Sequence, residues 1–305
     1  MPDLPDQSPA DKARDRAALV GVMLMLGVAC INAADSVIVR LLAKEVHPFI
    51  IALTRTSFGL LAFLPWIITR PAMLRTQFRV LHVLRAALKL ASLIAGFFAL
   101  ALAPLADVTA IGFAAPLFVT VGAWFLLGEP PHPVRILAVL LGFAGVVVVL
   151  KPDWAMGMAA VSPALTIALL AAFLTAVIQL MLKVMARSDG TDTLVAWNLI
   201  VSVPLALIPA LLVWKMPSAG AWGLLAIQGV LGAVNQTAVT RAFQLADASL
   251  VAPIDFLRLP FVAILAFSLF GEVAGISTWI GAAIIFVASM LMMATRRGPR
   301  SPTEG

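Results

Sequence analysis

Six charged or amide side chains lie inside long apolar runs of this chain. They are Asp35, Arg55, Lys89, Asn235, Asp255 and Arg258. An ionisable side chain at the centre of a membrane helix costs about 2.5–3.5 kcal/mol or more, so such groups usually face a bundle interior or a wet cavity. A polar small molecule could be bound there by hydrogen bonds and charge. We therefore predict these six residues as the substrate-binding set.

Asp255 and Arg258 are the favoured members of this set. They are three residues apart, which places them on one helical face. They can form an ion pair that only holds the helix in place, or offer a carboxylate and a guanidinium to a substrate. Pro253 and Pro260 bracket them and would free backbone groups that need water or a ligand. This bracketing favours the binding interpretation.

The other charged residues of the set each have two possible roles. Asp35 and Arg55 could pair with each other and gate a passage, or contact the substrate directly. Lys89 could line a cavity, or extend toward the membrane edge beside Arg85. Asn235 is deep in its run, next to Gln236.

Three prolines inside apolar runs, Pro116, Pro253 and Pro260, are predicted hinges because proline kinks or breaks a helix. Glu129 and Glu272 each follow a glycine at the end of an apolar run. A carboxylate there opposes the helix dipole. Its repetition predicts a structural partner, such as a nearby helix N-terminus.

Composition places these residues in a membrane. Of 305 residues, 62% are hydrophobic and 12% are charged, against about a quarter charged in soluble domains. Runs of about 20 apolar residues can cross a bilayer core as helices. Ten follow one another and no strand pattern is present, which predicts an all-α membrane protein. The runs are 17–42, 49–69, 78–102, 105–127, 134–150, 161–186, 193–214, 219–244, 248–270 and 274–294. Nine crossings remain an alternative, because the third and fourth runs are separated only by Pro104.

Internal similarity divides the chain into two halves. The two Gly-Glu pairs are 143 residues apart, and the same offset lays Arg40 on Lys183 and Arg55 on Asn198. Such a repeat must be recognised before the fold is assigned. We expect a tail at 1–16, predicted to be disordered and cytoplasmic, a first repeat at 17–150, a second at 161–295 and a cytoplasmic tail at 296–305.

The distribution of basic residues predicts the orientation. Short loops rich in Lys and Arg stay in the cytoplasm. With the N-terminus inside, eleven basic residues fall on that side and four on the other. Both termini are then cytoplasmic, which requires an even number of crossings and favours ten. Five crossings per repeat make the second half inverted relative to the first, as in secondary transporters.

Other functions find little support in the sequence. The net charge of +6 comes from basic residues at the ends of apolar runs rather than from one patch, which argues against a nucleic-acid partner. The three histidines lack metal-ligand spacing, and no P-loop or Gly-x-Ser-x-Gly motif is present. We expect no metal, no cofactor and no enzymatic activity. An intramembrane enzyme using Asp255 or Asp35 as a base remains a distant alternative.

Several segments resemble the EamA-domain members of the drug/metabolite transporter superfamily. Leu84-Arg85-Ala86-Ala87 and Pro104-Leu105-Ala106-Asp107 are similar to that family's third and fourth helices, and residues 252–261 are similar to its ninth. The resemblance covers about residues 17–295 and implies ten helices in two inverted repeats. Many members carry a glutamate where this chain has Arg258. Bacterial riboflavin and S-adenosylmethionine transporters are the nearest subset, judged on Asn32-x-x-Asp35 and Arg85.

These observations together predict a secondary transporter of the bacterial inner membrane that moves a polar small metabolite by alternating access. The cargo would be a vitamin such as riboflavin or an S-adenosylmethionine-like compound, with uptake slightly preferred. Its partners would be the substrate and the lipid bilayer; a coupling ion and a homodimer are compatible with the sequence. An exporter of amino acids or drugs on the same fold is the alternative.

Overall fold

In the computed structural model, the residues that it describes form ten long helices and no strand. Those residues are 9–126, 128, 132–150, 162–185, 188–246, 250 and 252–294. We number the helices α1 to α10. They are α1 Pro9–Leu42, α2 Pro48–Thr69, α3 Arg79–Leu102, α4 Leu105–Leu126, α5 Pro133–Leu150, α6 Pro163–Met185, α7 Thr191–Leu212, α8 Ala219–Leu245, α9 Arg258–Phe270 and α10 Ile276–Ala294.

The helices coincide with the ten predicted runs, and three differences have physical causes. Helix α1 begins at Pro9, inside the segment predicted as a disordered tail. The polar residues from Pro9 to Arg16 are helical and extend α1 beyond its apolar part. Nine of the described helices are long and apolar enough to cross a membrane. The tenth, α8, falls below that threshold because it carries Gln228, Asn235 and several glycines.

The other two differences are breaks at prolines. Helix α4 is interrupted between Leu105–Gly112 and Ala115–Leu126, because Pro116 cannot donate to the carbonyl of Gly112. Helix α9 is preceded by a 3-10 turn, Ala252–Leu257, which contains Pro253 and ends before Pro260. Irregular backbone thus accompanies Pro116 and Pro253, whereas Pro260 lies within the first turn of regular α9. Hinge motion at them stays a prediction.

The packing follows a twofold relation between the halves. Helix α1 packs on α8 and α9, and its counterpart α6 packs on α3 and α4. Three pairs of equivalent helices contact each other directly, namely α2 with α7, α4 with α9, and α5 with α10. Since each half has five long helices, an odd number, the second half is inverted relative to the first. We call the side where α1 begins and α10 ends the near face and the opposite side the far face.

A glycine with a left-handed backbone lies just beyond the fourth helix of each repeat. Gly128 and Gly271 both have a positive φ, of 65° and 68°, a conformation that glycine adopts without steric cost. At Gly271 the turn is closed by a hydrogen bond from the Glu272 amide to the Ala266 carbonyl, 3.2 Å. This turn directs the Glu272 side chain back toward the bundle.

Glu272 binds the start of α4. Its Oε2 accepts a hydrogen bond from the Leu105 backbone amide at 3.0 Å, and its Oε1 pairs with the Arg40 guanidinium. Arg40 also donates to the Ala101 carbonyl at 2.7 Å. A carboxylate at a helix N-terminus is favourable, so the predicted helix N-terminal partner of Glu272 is confirmed. Glu129 lies outside the described residues.

Candidate functional site

A cavity of about 690 Å³ lies between α2, α3, α6, α7 and α8. Its lining comes from the near halves of α3, α6 and α7 and from the middle of α2 and α8. The polar lining residues are Arg55, Thr56, Arg85, Lys89, Ser92, Thr175, Gln179, Asn198, Ser202 and Asn235. The cavity therefore occupies the near half of the bundle and reaches its middle.

The two repeats contribute equivalent positions to this cavity. Six pairs of lining residues are separated by 143 positions: Arg55 and Asn198, Thr56 and Leu199, Gly59 and Ser202, Lys89 and Gly232, Leu90 and Ala233, and Ser92 and Asn235. A cavity lined by such pairs lies around the internal twofold relation. A substrate held there contacts both repeats, which is the arrangement of inverted-repeat transporters.

The far side of the bundle is closed above this cavity. A cluster of buried apolar residues joins the far ends of α1, α7 and α8 to the start of α2, and includes Leu42, Ile50, Ala210 and Leu225. The contacts of Glu272 described above lie at the same level. Glu45 adds a second link, since it accepts hydrogen bonds from the Ser218 amide at 2.7 Å and from the Ser218 hydroxyl at 3.0 Å. The structure is thus closed toward the far face.

Asp35 and Arg55 form the ion pair that the sequence offered as one interpretation. Arg55 Nη1 lies 2.5 Å from Asp35 Oδ1. Arg55 lines the cavity. Asp35 is not a lining residue, and it is linked to the cavity by its contact with Arg55. The guanidinium also lies 5.9 Å from the centre of the Phe97 ring and faces Gly232, where a Cβ would meet its Nη2 at 3.5 Å, an ordinary van der Waals contact.

Lys89 lines the cavity, which is the first of the two placements considered for it. No carboxylate pairs with it in the described part of the chain. Its nearby charges are Arg85 and Arg55, and both repel it. Lys89 is therefore a cation directed at the space that a solute would occupy.

Arg85 is held beside Lys89 by α7. It is only 4% exposed, and its Nη2 donates to the Leu194 carbonyl at 2.5 Å. Its Nε is buried and has no acceptor. A buried donor without a partner costs about 1–3 kcal/mol, so this group is one that a bound molecule or water can satisfy.

Amide side chains supply the polar groups of the second repeat. Asn198 is buried in the cavity wall, and its side-chain oxygen has no partner among the described residues. The side-chain oxygen of Asn235 is also buried and has no partner among the described residues. Asn235 lines the cavity, and it belongs to the set predicted from sequence. Asn198 and Arg85 were absent from that set. The 143-residue offset from Arg55 could have identified Asn198.

Asp255 and Arg258 lie outside the lining of this cavity. They are at the crossing of the broken helices α4 and α9. The Arg258 guanidinium is 4.9 Å from the centre of the Phe113 ring. No ion pair joins Arg258 to Asp255 in the structure, although both are among the residues it describes. A substrate-binding role for these two residues stays a prediction.

A hydrogen-bonded cluster joins α3 to the α6–α7 connection at the near end of the cavity. His82 Nε2 lies 2.8 Å from Asp189 Oδ2, and the Thr76 hydroxyl donates to the same oxygen at 2.7 Å. The Trp197 ring stacks on His82 with centroids 5.3 Å apart. These contacts hold the start of α3, and with it Arg85 and Lys89, against the second repeat.

Comparison with known proteins agrees with this geometry. The chain matches the EamA-like transporter family over residues 19–151 and again over residues 162–294. It is 34% identical over 244 residues to a riboflavin transporter of Vibrio cholerae, covering 78% of this chain and 80% of the relative. It is 29% identical over 266 residues to an S-adenosylmethionine uptake transporter of Rickettsia prowazekii, covering 86% and 88%.

A protein of known crystal structure shares the fold with a TM-score of 0.62 at 18% identity. The match covers 93% of this chain and 98% of that one. The named relatives are transporters, and none of these matches supports the alternative of an intramembrane enzyme. This chain therefore belongs to the EamA-like transporter family.

Proposed function

We propose that this protein carries a polar small metabolite across a bacterial inner membrane by alternating access, with uptake preferred over export. The observation that carries the proposal is the cavity lined by paired positions of the two repeats. Its volume of about 690 Å³ falls within the range of about 300–1,000 Å³ typical of small-molecule sites. Its charges and amides suit a molecule with several donors and acceptors.

Alternating access follows from the symmetry of the fold. The two repeats have the same architecture but opposite directions, so they can exchange their conformations. In the structure the far face is closed by the contacts of Glu272 and Glu45. The exchanged arrangement opens that face and closes the near one. With the near face in the cytoplasm, as the basic residues of the loops favour, this state would be closed to the outside.

The relatives suggest two kinds of cargo, a flavin and an adenosyl sulfonium compound. Riboflavin offers a planar ring with a ribityl chain, and S-adenosylmethionine offers an adenine with a charged chain. Either can form hydrogen bonds with Asn198 and Asn235. No nucleotide-binding motif is present in the sequence, so a solute or ion gradient drives transport in this proposal, and a coupling ion belongs to it.

Counterflow in proteoliposomes tests the proposed function. Purified protein is reconstituted with unlabelled riboflavin or S-adenosylmethionine inside, and entry of the labelled compound is measured. We expect entry above that of protein-free vesicles for at least one cargo, and recovery of the label unchanged. Arg55→Gln should reduce it strongly, whereas Lys215→Gln, at an exposed position on the α7–α8 connection, should not.

Three results would count against parts of this proposal. Absence of counterflow with both compounds would remove the proposed cargo. A chemically altered label would indicate an enzyme. Resistance of overproducing cells to amino acid analogues or drugs, with no accumulation of vitamin, would favour an exporter.

A further inference from the structure

We propose that the cavity selects an anionic group of its substrate, a carboxylate or a phosphate, which binds between Lys89 and Arg85. This inference rests on the proposed transport function and specifies the chemical class of the cargo. Of the two cargoes that relatives suggest, riboflavin is neutral and lacks such a group, whereas S-adenosylmethionine carries a carboxylate together with its ammonium and sulfonium cations.

The charged groups that line the cavity are all cations. Three cations line the cavity, Arg55, Arg85 and Lys89, and all three belong to the first repeat. No carboxylate is among the lining residues that the structure describes. Asp35 neutralises Arg55 from behind, at 2.5 Å. The charges of Lys89 and Arg85 remain uncompensated, so the cavity carries a net positive charge.

Arg85 and Lys89 both have hydrogen-bonding capacity that no acceptor among the described residues uses. Arg85 is buried and fixed by the Leu194 carbonyl, yet its Nε lacks an acceptor. Lys89 lies one helical turn further along α3, on the same face, and its ammonium is open to the cavity. An anionic oxygen that accepts from both would satisfy the buried donor and relieve the repulsion between the two cations. Charge-assisted hydrogen bonds of this type are about twice as strong as neutral ones.

The two repeats differ in charge at the positions of Lys89 and Arg85. The counterpart of Lys89 is Gly232 and the counterpart of Gln228 is Arg85, at the common offset of 143. Gly232 lacks a charge and Gln228 is completely buried. The second repeat therefore adds no charge at the positions equivalent to Lys89 and Arg85. The anionic end of a substrate is directed to α3, and its neutral part to α7 and α8, where Asn198 and Asn235 lie.

Two matched pairs of compounds test the charge preference. Riboflavin and riboflavin 5′-phosphate differ by a phosphate that carries about −1.5 to −2 charges at neutral pH. S-adenosylmethionine and S-adenosylhomocysteine differ by one methyl group, which makes the sulfur a cation. Each compound is used as an inhibitor of counterflow and as a stabiliser of the purified protein against heat.

We expect the more negative member of each pair to bind about tenfold more tightly, which corresponds to about 1.4 kcal/mol. Lys89→Gln should bring the ratio within each pair close to one, and Lys89→Arg should preserve it. Lys215→Gln is the matched control for the loss of one positive charge. Heat stability of each variant without ligand shows whether it is folded.

The outcomes separate the two proposals. Preference for riboflavin and for S-adenosylmethionine, or an unchanged ratio in Lys89→Gln, would overturn the anionic class while leaving the transport function in place. Failure of all four compounds to bind wild-type protein would overturn both. Equal binding within both pairs would also contradict the proposal, because a net positive cavity must distinguish them.

Discussion

Phe113 and Phe256 stack on each other, with ring centroids 4.2 Å apart and planes inclined by 24°. They are 143 residues apart, which is the spacing of the left-handed glycines Gly128 and Gly271. Each ring lies where its helix is irregular, Phe113 at the break of α4 and Phe256 in the turn before α9. A contact between equivalent residues of two related halves lies on the axis that relates them. This pair therefore marks the internal twofold axis at the crossing of α4 and α9.

Phe113→Ala should destabilise the protein by about 3 kcal/mol, because it removes a buried ring from this crossing. The Arg258 guanidinium also loses the ring over which it lies. Thermal unfolding in detergent measures the effect. Phe113→Leu should cost clearly less, since it keeps most of the volume. Equal stability of Phe113→Ala and wild type would show that the crossing does not hold the halves together.

The contact between α5 and α10 should be intolerant of any side chain at Gly281. A Cβ there would lie 2.7 Å from the Gly145 carbonyl oxygen and closer still to the Val149 side chain. Gly281→Ala should lower the stability by about 1–3 kcal/mol through overpacking. Gly96→Ala is the matched control, because a Cβ at Gly96 has no neighbour within 4 Å and alanine favours a helix. A loss of stability at Gly96 equal to that at Gly281 would contradict the close approach.

Much of the fold could be predicted from sequence, for definite physical reasons. Apolar runs of bilayer length fix the number of helices, and prolines fix the breaks in α4 and α9. The partner of Glu272 was predictable in kind, because a carboxylate at a helix C-terminus needs compensation. That the partner is the Leu105 amide requires the packing of α9 against α4, which no local pattern contains.

The site was predictable in part. Arg55, Lys89 and Asn235 were selected because a polar group in an apolar run is costly, and they line the cavity. The same criterion gave most weight to Asp255 and Arg258, which lie at the α4–α9 crossing instead. The free-energy cost of a polar group in an apolar run identifies only the side chains that must avoid lipid. It does not distinguish a cavity wall from a helix crossing.

The ion pair between Arg40 and Glu272 should stabilise the state closed on the far face. In a double-mutant cycle with Arg40→Gln and Glu272→Gln, we expect a coupling of about 1–3 kcal/mol, because the bonds are charge-assisted and only partly exposed. Thermal unfolding of the four proteins measures it. The double variant should also expose the far side more often, seen as faster labelling of cysteines placed there. A coupling near zero would remove this pair from the closing contacts.

Asp35→Asn alone should impair transport more than Asp35→Asn combined with Arg55→Gln. Asp35→Asn leaves Arg55 uncompensated in the cavity wall, where an unpaired charge is costly. Initial rates of counterflow should therefore fall sharply in Asp35→Asn and recover partly in Asp35→Asn with Arg55→Gln. Rates that fall additively would show that the two residues act independently, in conflict with the 2.5 Å contact.

The central claim is that one cavity between two inverted repeats is reached alternately from the two faces. It is tested by labelling of Thr56→Cys with a membrane-impermeant thiol reagent, after Cys30, the only cysteine, has been replaced by serine. Ile208→Cys, at an exposed position of α7, is the control. The account predicts that the Thr56 cysteine reacts from either face of the membrane and is protected by substrate, whereas the control is not protected. Reaction from one face only under all conditions, or labelling unaffected by any transported substrate, would contradict it.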